Sequence, residues 1–171
     1  SANFFSFWAT RIEWTTFFGH MIVLGAEKYI DWRDATPDNI DDKIRKIKRY
    51  NGVVGVAHPF DIGSPMCTGC NWRFNVHNWE NVDYIEIWHE EFPATKVSNQ
   101  RAMKLWIKLL DAGYRIAATY GKDWHCTKNE NLPSAVTYLG VNDINITAKN
   151  ALSALRSGRT YVTMGPTIEV F

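Results

Sequence analysis

The stretch YGKDWHC (Tyr120–Cys126) sets an aspartate and a histidine two residues apart, where the apolar run YRIAAT gives way at a glycine. In extended backbone, residues i and i+2 point to the same side about 6.5 to 7 Å apart, so Asp123 and His125 are placed to reach one divalent cation or two adjacent ones. Groups of the same kind recur around other apolar runs. His58 follows VVGVA, Glu13 lies within RIEWTT with His20 seven residues on, and Glu86 lies inside YIEIW just ahead of His89. Glu, Asp and His together are the donor set of transition-metal sites that take Zn, Mn or Fe. Taken singly, each has a plainer reading: a histidine before proline as a turn residue, Asp-x-His as a surface hydrogen-bonded pair. Cys67-x-x-Cys70 has the spacing of half a structural zinc site, whose other ligands would have to come from residues such as Cys126 or His77. A local disulfide or packed thiols is the first reading of that pair and structural zinc the second. The chain has no G-x-S-x-G, P-loop or G-x-G-x-x-G motif.

The elements that must position these groups follow from periodicity. TRIEWTT and GHMIVLGA read as β segments, rich in β-branched and aromatic residues. In TPDNIDDKIRKIKRYNG, Ile40, Ile44 and Ile47 recur at helical spacing. Acids cluster at its start, bases follow, and Asn51-Gly52 stops it. VVGVA reads as a strand buried on both faces, and VDYIEIW and YRIAAT as further strands. Between the last two, SNQRAMKLWIKLLDAG places Ala102, Leu105, Trp106, Leu109 and Leu110 on one helical face and closes at Gly113. The tail reads as strand SAVTYLGV, helix TAKNALSALRSG and strands TYVTM and TIEVF. Such alternation predicts βαβ units around a parallel sheet in one domain spanning residues 1–171. In that class functional groups gather at the carboxyl ends of strands, and the irregular stretch from Phe60 to Asn81 is the expected specificity determinant.

Composition narrows the class further. With 46% apolar and 22% charged residues the chain reads as soluble and globular, and a formal charge of +1 gives no overall field toward nucleic acid or anionic lipid. No apolar run approaches the roughly 20 residues of a membrane helix. Compartment and oligomeric state stay open. Eight tryptophans, several beside carboxylates and histidines, suit core packing or the walls of a water-poor site.

Five blocks in order, RIEWTTFFGHMIVLGA, VVGVAHPF, VDYIEIW, GYRIAATYGKDWHC and ALRSGRTYVTMGP, resemble the PHP (polymerase and histidinol phosphatase) family, in particular its metallohydrolase branch with carbaryl-hydrolase-like proteins. The resemblance implies a distorted, TIM-like (β/α)7 barrel with two or three Mn, Zn or Fe ions at the carboxyl ends of its strands. It further implies hydrolysis of a small-molecule phosphomonoester or phosphodiester, or of a related ester. By motif it makes Glu13, His20, His58, Asp123 and His125 metal ligands, with Glu13, Asp123 and His125 catalytic. Glu86 and His89 are left as neighbouring or substrate-binding groups, and Lys122 and Arg159 as cations to offset phosphate charge. The family's opening His-x-His strand has no counterpart in this sequence. With apolar residues at both ends, the expectation is the carboxyl-terminal portion of a larger domain. A catalytically silent PHP-like module and a Cys/His zinc protein are the alternatives.

Overall fold

The computed structural model describes residues 11–62, 68–125, 134–141 and 146–165. Strands β1 (Arg11–Thr16) and β2 (Gly19–Leu24) form an antiparallel hairpin whose turn is Phe17-Phe18. Thr16 Oγ1 closes that turn, accepting from Phe18 N at 3.0 Å and donating to Gly19 O at 2.8 Å. Helix α1 (Ile40–Arg49) buries Ile40, Ile44 and Ile47 as their spacing predicts, and the chain leaves it through Asn51 at φ 58°. Strands β3 (Val53–Ala57) and β4 (Tyr84–His89) are buried along their whole length, the consequence of continuous apolar runs in the middle of a sheet. Helix α2 (Val97–Asp111) connects β4 to β5 (Ala117–Gly121). Its buried residues are Asn99, Ala102 and Leu109, while Leu110 is exposed, so its buried stripe is narrower than the sequence suggests.

The main sheet has the order β1-β2-β3-β4-β5. β2 is antiparallel to β1 and β3, whereas β3, β4 and β5 run parallel. Ile40, Ile44, Ile47 and Leu109 pack with Val54, Val56, Ile85, Ile87, Ile116 and Ala118 on one face. Helix α3 (Ala148–Arg156) brings Leu152 and Leu155 against Val53, Tyr84 and Ala117 on the other. Strands β6 (Val136–Leu139) and β7 (Thr160–Thr163) form a separate antiparallel pair. It is tied to β5 by Tyr120 N donating to Thr137 Oγ1 (2.9 Å) and Thr160 Oγ1 donating to Ala118 O (2.8 Å).

The (β/α)7 TIM-like barrel is thereby corrected: the described residues form an open, mixed five-stranded sheet with a two-stranded annex and three α-helices, and no barrel closes. The reason is local. Two residues between β1 and β2 permit only a hairpin, since a parallel crossover needs a dozen or more. β2 then pairs antiparallel with β3, leaving a parallel core of three strands, and β6 pairs with β7 instead of extending the sheet. The predicted strand TIEVF lies outside the described residues. Among the described residues, no helix is long and apolar enough to cross a membrane.

Candidate metal centre

Each parallel strand ends in a residue or turn with unusual backbone. His58 (φ 26°) directly follows β3, Glu90 (φ 54°) directly follows β4, and Asp123 (φ 45°) lies two residues past β5. A non-glycine residue held in this region costs on the order of 1–3 kcal/mol, and three such residues at adjacent strand ends mark a place where geometry is enforced by its surroundings. Register brings β2 to the same end, because His20 pairs with Ala57, the residue before His58.

Three histidines meet there. The ring centroids of His20 and His58 are 5.0 Å apart and those of His58 and His89 4.8 Å. All three are buried, and Nδ1 of each lacks a hydrogen-bond partner. Carboxylates surround them. Glu13 Oε1 stands 3.0 Å from His20 Nδ1, though off the line of a hydrogen bond, and 3.8 Å from His58 Nε2. His20 Nε2 lies 2.9 Å from the Thr68 carbonyl, which can only accept, so that nitrogen carries a hydrogen and Nδ1 is the atom turned to Glu13. Glu86 Oε2 accepts the His58 backbone N–H at 3.0 Å and lies 3.6 Å from His89 Nδ1.

Gly121 makes room for this carboxylate: a Cβ there would stand 2.6 Å from Glu86 Oε2 and closer still to Oε1. The contact with His20 first, and with His58 next, holds the Glu13 carboxyl far below the usual carboxylate range despite partial burial. Burial opposes protonation of His58, yet the Glu13 carboxylate and the charges of Glu86 and Asp123 outweigh it and raise its pKa.

A second group adjoins the first. Asp61 Oδ2 lies 3.1 Å from His89 Nε2, and Lys96 Nζ reaches Asp61 Oδ2 at 3.3 Å and Glu90 Oε2 at 3.2 Å. Burial alone would raise the pKa of Asp61, but Lys96 and His89 outweigh it and the net shift is downward. Asn99, fully enclosed, clamps the backbone here, accepting from His89 N at 2.9 Å and donating to His89 O at 3.0 Å and Glu91 O at 2.8 Å. Asp61, Lys96 and Asn99 escape a sequence reading because their roles arise only from contacts with distant residues.

Of the sequence-derived residues, Glu13, His20 and His58 come together, joined by Glu86 and His89. The charge of Asp123 reaches His58. His125 does not join the buried group: it is 80% exposed, and its Nε2 lies 2.9 Å from Asp123 Oδ1. Asp123 and His125 meet each other but stand apart from the buried group, because β5 ends at Gly121 and Asp123 leaves the extended region. Lys122 is half-buried beside Asp123. Arg159 is exposed and donates to Ser157 Oγ at 2.9 Å. Its neighbour Gly158 backs onto Arg115 ahead of β5, which sets Arg159 toward the opposite end of that strand from Asp123.

Two groupings of donor atoms lie within 4.8 Å of one another and could hold a metal ion: His20, His58 and Cys70, and Asp61, His89 and Glu90. The donor chemistry qualifies both. Cys70 is disulfide-bonded and in that state offers no thiolate, and the other two cysteines, Cys67 and Cys126, lie outside the described residues. Carboxylate oxygens and unpartnered imidazole nitrogens remain, which suit a borderline divalent cation. A larger cleft of about 660 Å³, walled by Trp88, Phe92, Met103, Trp106 and Tyr161, also takes in Ile87, Ile116 and Ala118 of the face covered by α1 and α2. The polar cluster continues the opposite face, where Tyr84 and Ile22 precede Glu86 and follow His20 by two residues. The cleft therefore belongs to the face of the sheet opposite the polar cluster. No protein-family model matches this chain, and no curated protein sequence matches it.

Proposed function

We propose that this chain carries a metal centre of a hydrolase that cleaves a phosphate mono- or diester with activated water. One observation carries the reading: three buried histidines in ring contact, each with an Nδ1 lacking a hydrogen-bond partner, ringed by Glu13, Glu86 and Asp61 at the strand ends. Buried polar atoms are nearly always satisfied, so each of these nitrogens calls for a partner that the chain itself does not supply. The residues that would hold Mn, Zn or Fe are Glu13, His20, His58 and His89, with Asp123 alongside. When bound, such an ion would supply Lewis-acid polarisation of a phosphoryl oxygen and lower the pKa of bound water from about 16 toward about 7. Glu86, itself buried, fixes the His58 backbone. Lys122, next to Asp123, is the cation that would offset a substrate phosphate, since Lys96 is already paired with Asp61 and Glu90. The resemblance to the PHP family points to the same chemistry.

A silent module is the second reading, favoured by Lys96, whose ammonium already neutralises Asp61 and Glu90, and by the outward His125. The disulfide at Cys70 argues against a Cys/His structural zinc. Metal analysis after chelation and reloading with Mn or Zn tests the proposal. Bound metal that is lost in His58→Ala, with hydrolysis of a chromogenic phosphodiester, supports it. No bound metal in the wild type sinks it, and metal without hydrolysis leaves the silent module.

A further inference from the structure

Cys70 stands beside two of the buried histidines. It is 3% exposed, and its sulfur and one ring nitrogen each of His20 and His58 lie within 4.8 Å of one another. Both histidines are buried, and Nδ1 of each lacks a hydrogen-bond partner. The peptide that carries Cys70 is pinned on both sides of it. Thr68 O contacts His20 Nε2 at 2.9 Å, Trp72 N donates to Pro59 O at 2.7 Å, and Arg73 N donates to Phe18 O at 2.7 Å. Gly69 sits at φ 78°, and a Cβ there would stand 1.6 Å from Thr16 O, so only glycine lets the chain pass this close to the β1–β2 turn. These contacts hold the Cys70 backbone over the histidines whether or not its sulfur is bonded. Cys70 is disulfide-bonded, and with three cysteines in the chain its partner is Cys67 or Cys126, both outside the described residues.

We propose that this disulfide is a redox gate on the metal centre: its reduction by a dithiol frees the Cys70 sulfur to join His20 and His58 in a site that selects zinc. In the reduction the S–S bond of Cys70 breaks and two thiols form, while the dithiol gives up two electrons and two protons and closes to its own disulfide. On binding the cation, the Cys70 thiol releases its proton to solvent. The thiolate is the ligating form of cysteine, and the disulfide withholds it. Thiolate favours zinc, whereas carboxylate and water suit manganese. Oxidised, the centre offers the imidazoles and carboxylates already described. Reduced, it gains a soft donor, and three protein ligands leave a fourth position open, as in catalytic zinc sites. The gate rests on the metal-centre reading for its two histidines, but the thiolate signal that tests it does not depend on hydrolysis.

The test adds cobalt(II), a spectroscopic stand-in for zinc, to the full chain in its oxidised form and after reduction by a phosphine that is then removed without air. A thiolate-to-cobalt charge-transfer band in the near ultraviolet is expected in the reduced wild type and absent from the oxidised one. Added zinc should bleach the band, and the same concentration of manganese should leave it. Cys67→Ser/Cys126→Ser keeps Cys70 as the sole cysteine and should show the band with no reductant. Cys70→Ser should lack it even when reduced, with the fold of each variant checked by circular dichroism. A band in the oxidised wild type, a band that survives Cys70→Ser, or no band in the reduced wild type overturns the proposal. Should the double variant fail to fold, the reduced wild type against Cys70→Ser decides. Cobalt bound without the band in every form overturns the gate and leaves the metal centre standing, whereas no cobalt bound in any form overturns both.

Discussion

Replacing Gly121 by alanine tests whether the Glu86 carboxylate is held by its surroundings or merely tolerated by them. The added Cβ would stand 2.6 Å from Glu86 Oε2 and nearer to Oε1. Gly121 does not sit at positive φ, so backbone strain adds nothing to the effect. The carboxylate must move, and with it goes the hydrogen bond from His58 N at 3.0 Å. A buried bond to a charged group is worth about 1.5–3 kcal/mol, and overpacking of this kind costs about 1–3 kcal/mol. Allowing for partial relaxation, Gly121→Ala should destabilise by about 2–4 kcal/mol. For a chain of 171 residues that lowers Tm by about 2–4 °C for each kcal/mol.

Glu86→Ala removes the obstructing group and leaves His58 N–H buried without its acceptor, at about 1–3 kcal/mol. The double variant should be no less stable than Glu86→Ala alone, giving a coupling of about 2 kcal/mol or more in a double-mutant cycle measured by urea unfolding. Additive single effects, or a Gly121→Ala protein within about 0.5 kcal/mol of wild type, would refute the argument that Gly121 exists to seat this carboxylate.

Further outcomes follow from neighbouring contacts. Asp83, buried, takes Lys48 Nζ at 2.6 and 2.7 Å and Val54 N at 2.7 Å, so Asp83→Ala should cost about 3 kcal/mol in urea unfolding. Because the folded-state pKa of His58 is raised, its contribution to stability is full below the unfolded value of about 6.5 and is lost as pH rises through the folded value. Glu13 acts in the opposite sense: its depressed pKa gives stability present above about 4.5 and lost as pH falls toward its folded value. Thermal melts of the metal-free protein should therefore show greatest stability at mildly acidic pH, and Glu13→Gln should flatten both limbs. Manganese affinity should climb as pH rises through the folded pKa of His58, because the ligand must shed its proton; a pH-independent affinity would exclude His58 from the ligand set.

How much of this was legible in the sequence depends on how far apart the partners lie. α1 could be read from Ile40, Ile44 and Ile47, and β3 and β4 from unbroken apolar runs, because period and run length are local. The hairpin of β1 and β2 was readable as two strands, but its consequence, an open mixed sheet in place of a barrel, is a matter of pairing between distant strands. His58 was read as a ligand because it follows a strand, whereas His89 was read only as a neighbouring or substrate-binding group, and the reason is geometric. Glu86 and His89 are three residues apart, which in a regular strand puts them on opposite faces. The register between β4 and β5 shifts between Glu86 and Trp88, and past that irregularity both side chains reach the same side, 3.6 Å apart.

Asp123 and His125 went the other way. Their side chains do meet, but φ 45° at Asp123 ends the extended geometry and leaves His125 exposed. The site is thus assembled from one bulge and three residues in left-handed backbone, departures from regular strand that no periodicity announces. That is also why it is informative: a chain that sustains such backbone at the ends of β3, β4 and β5, and buries Asn99 to clamp one of them, has its stability spent where the histidines meet.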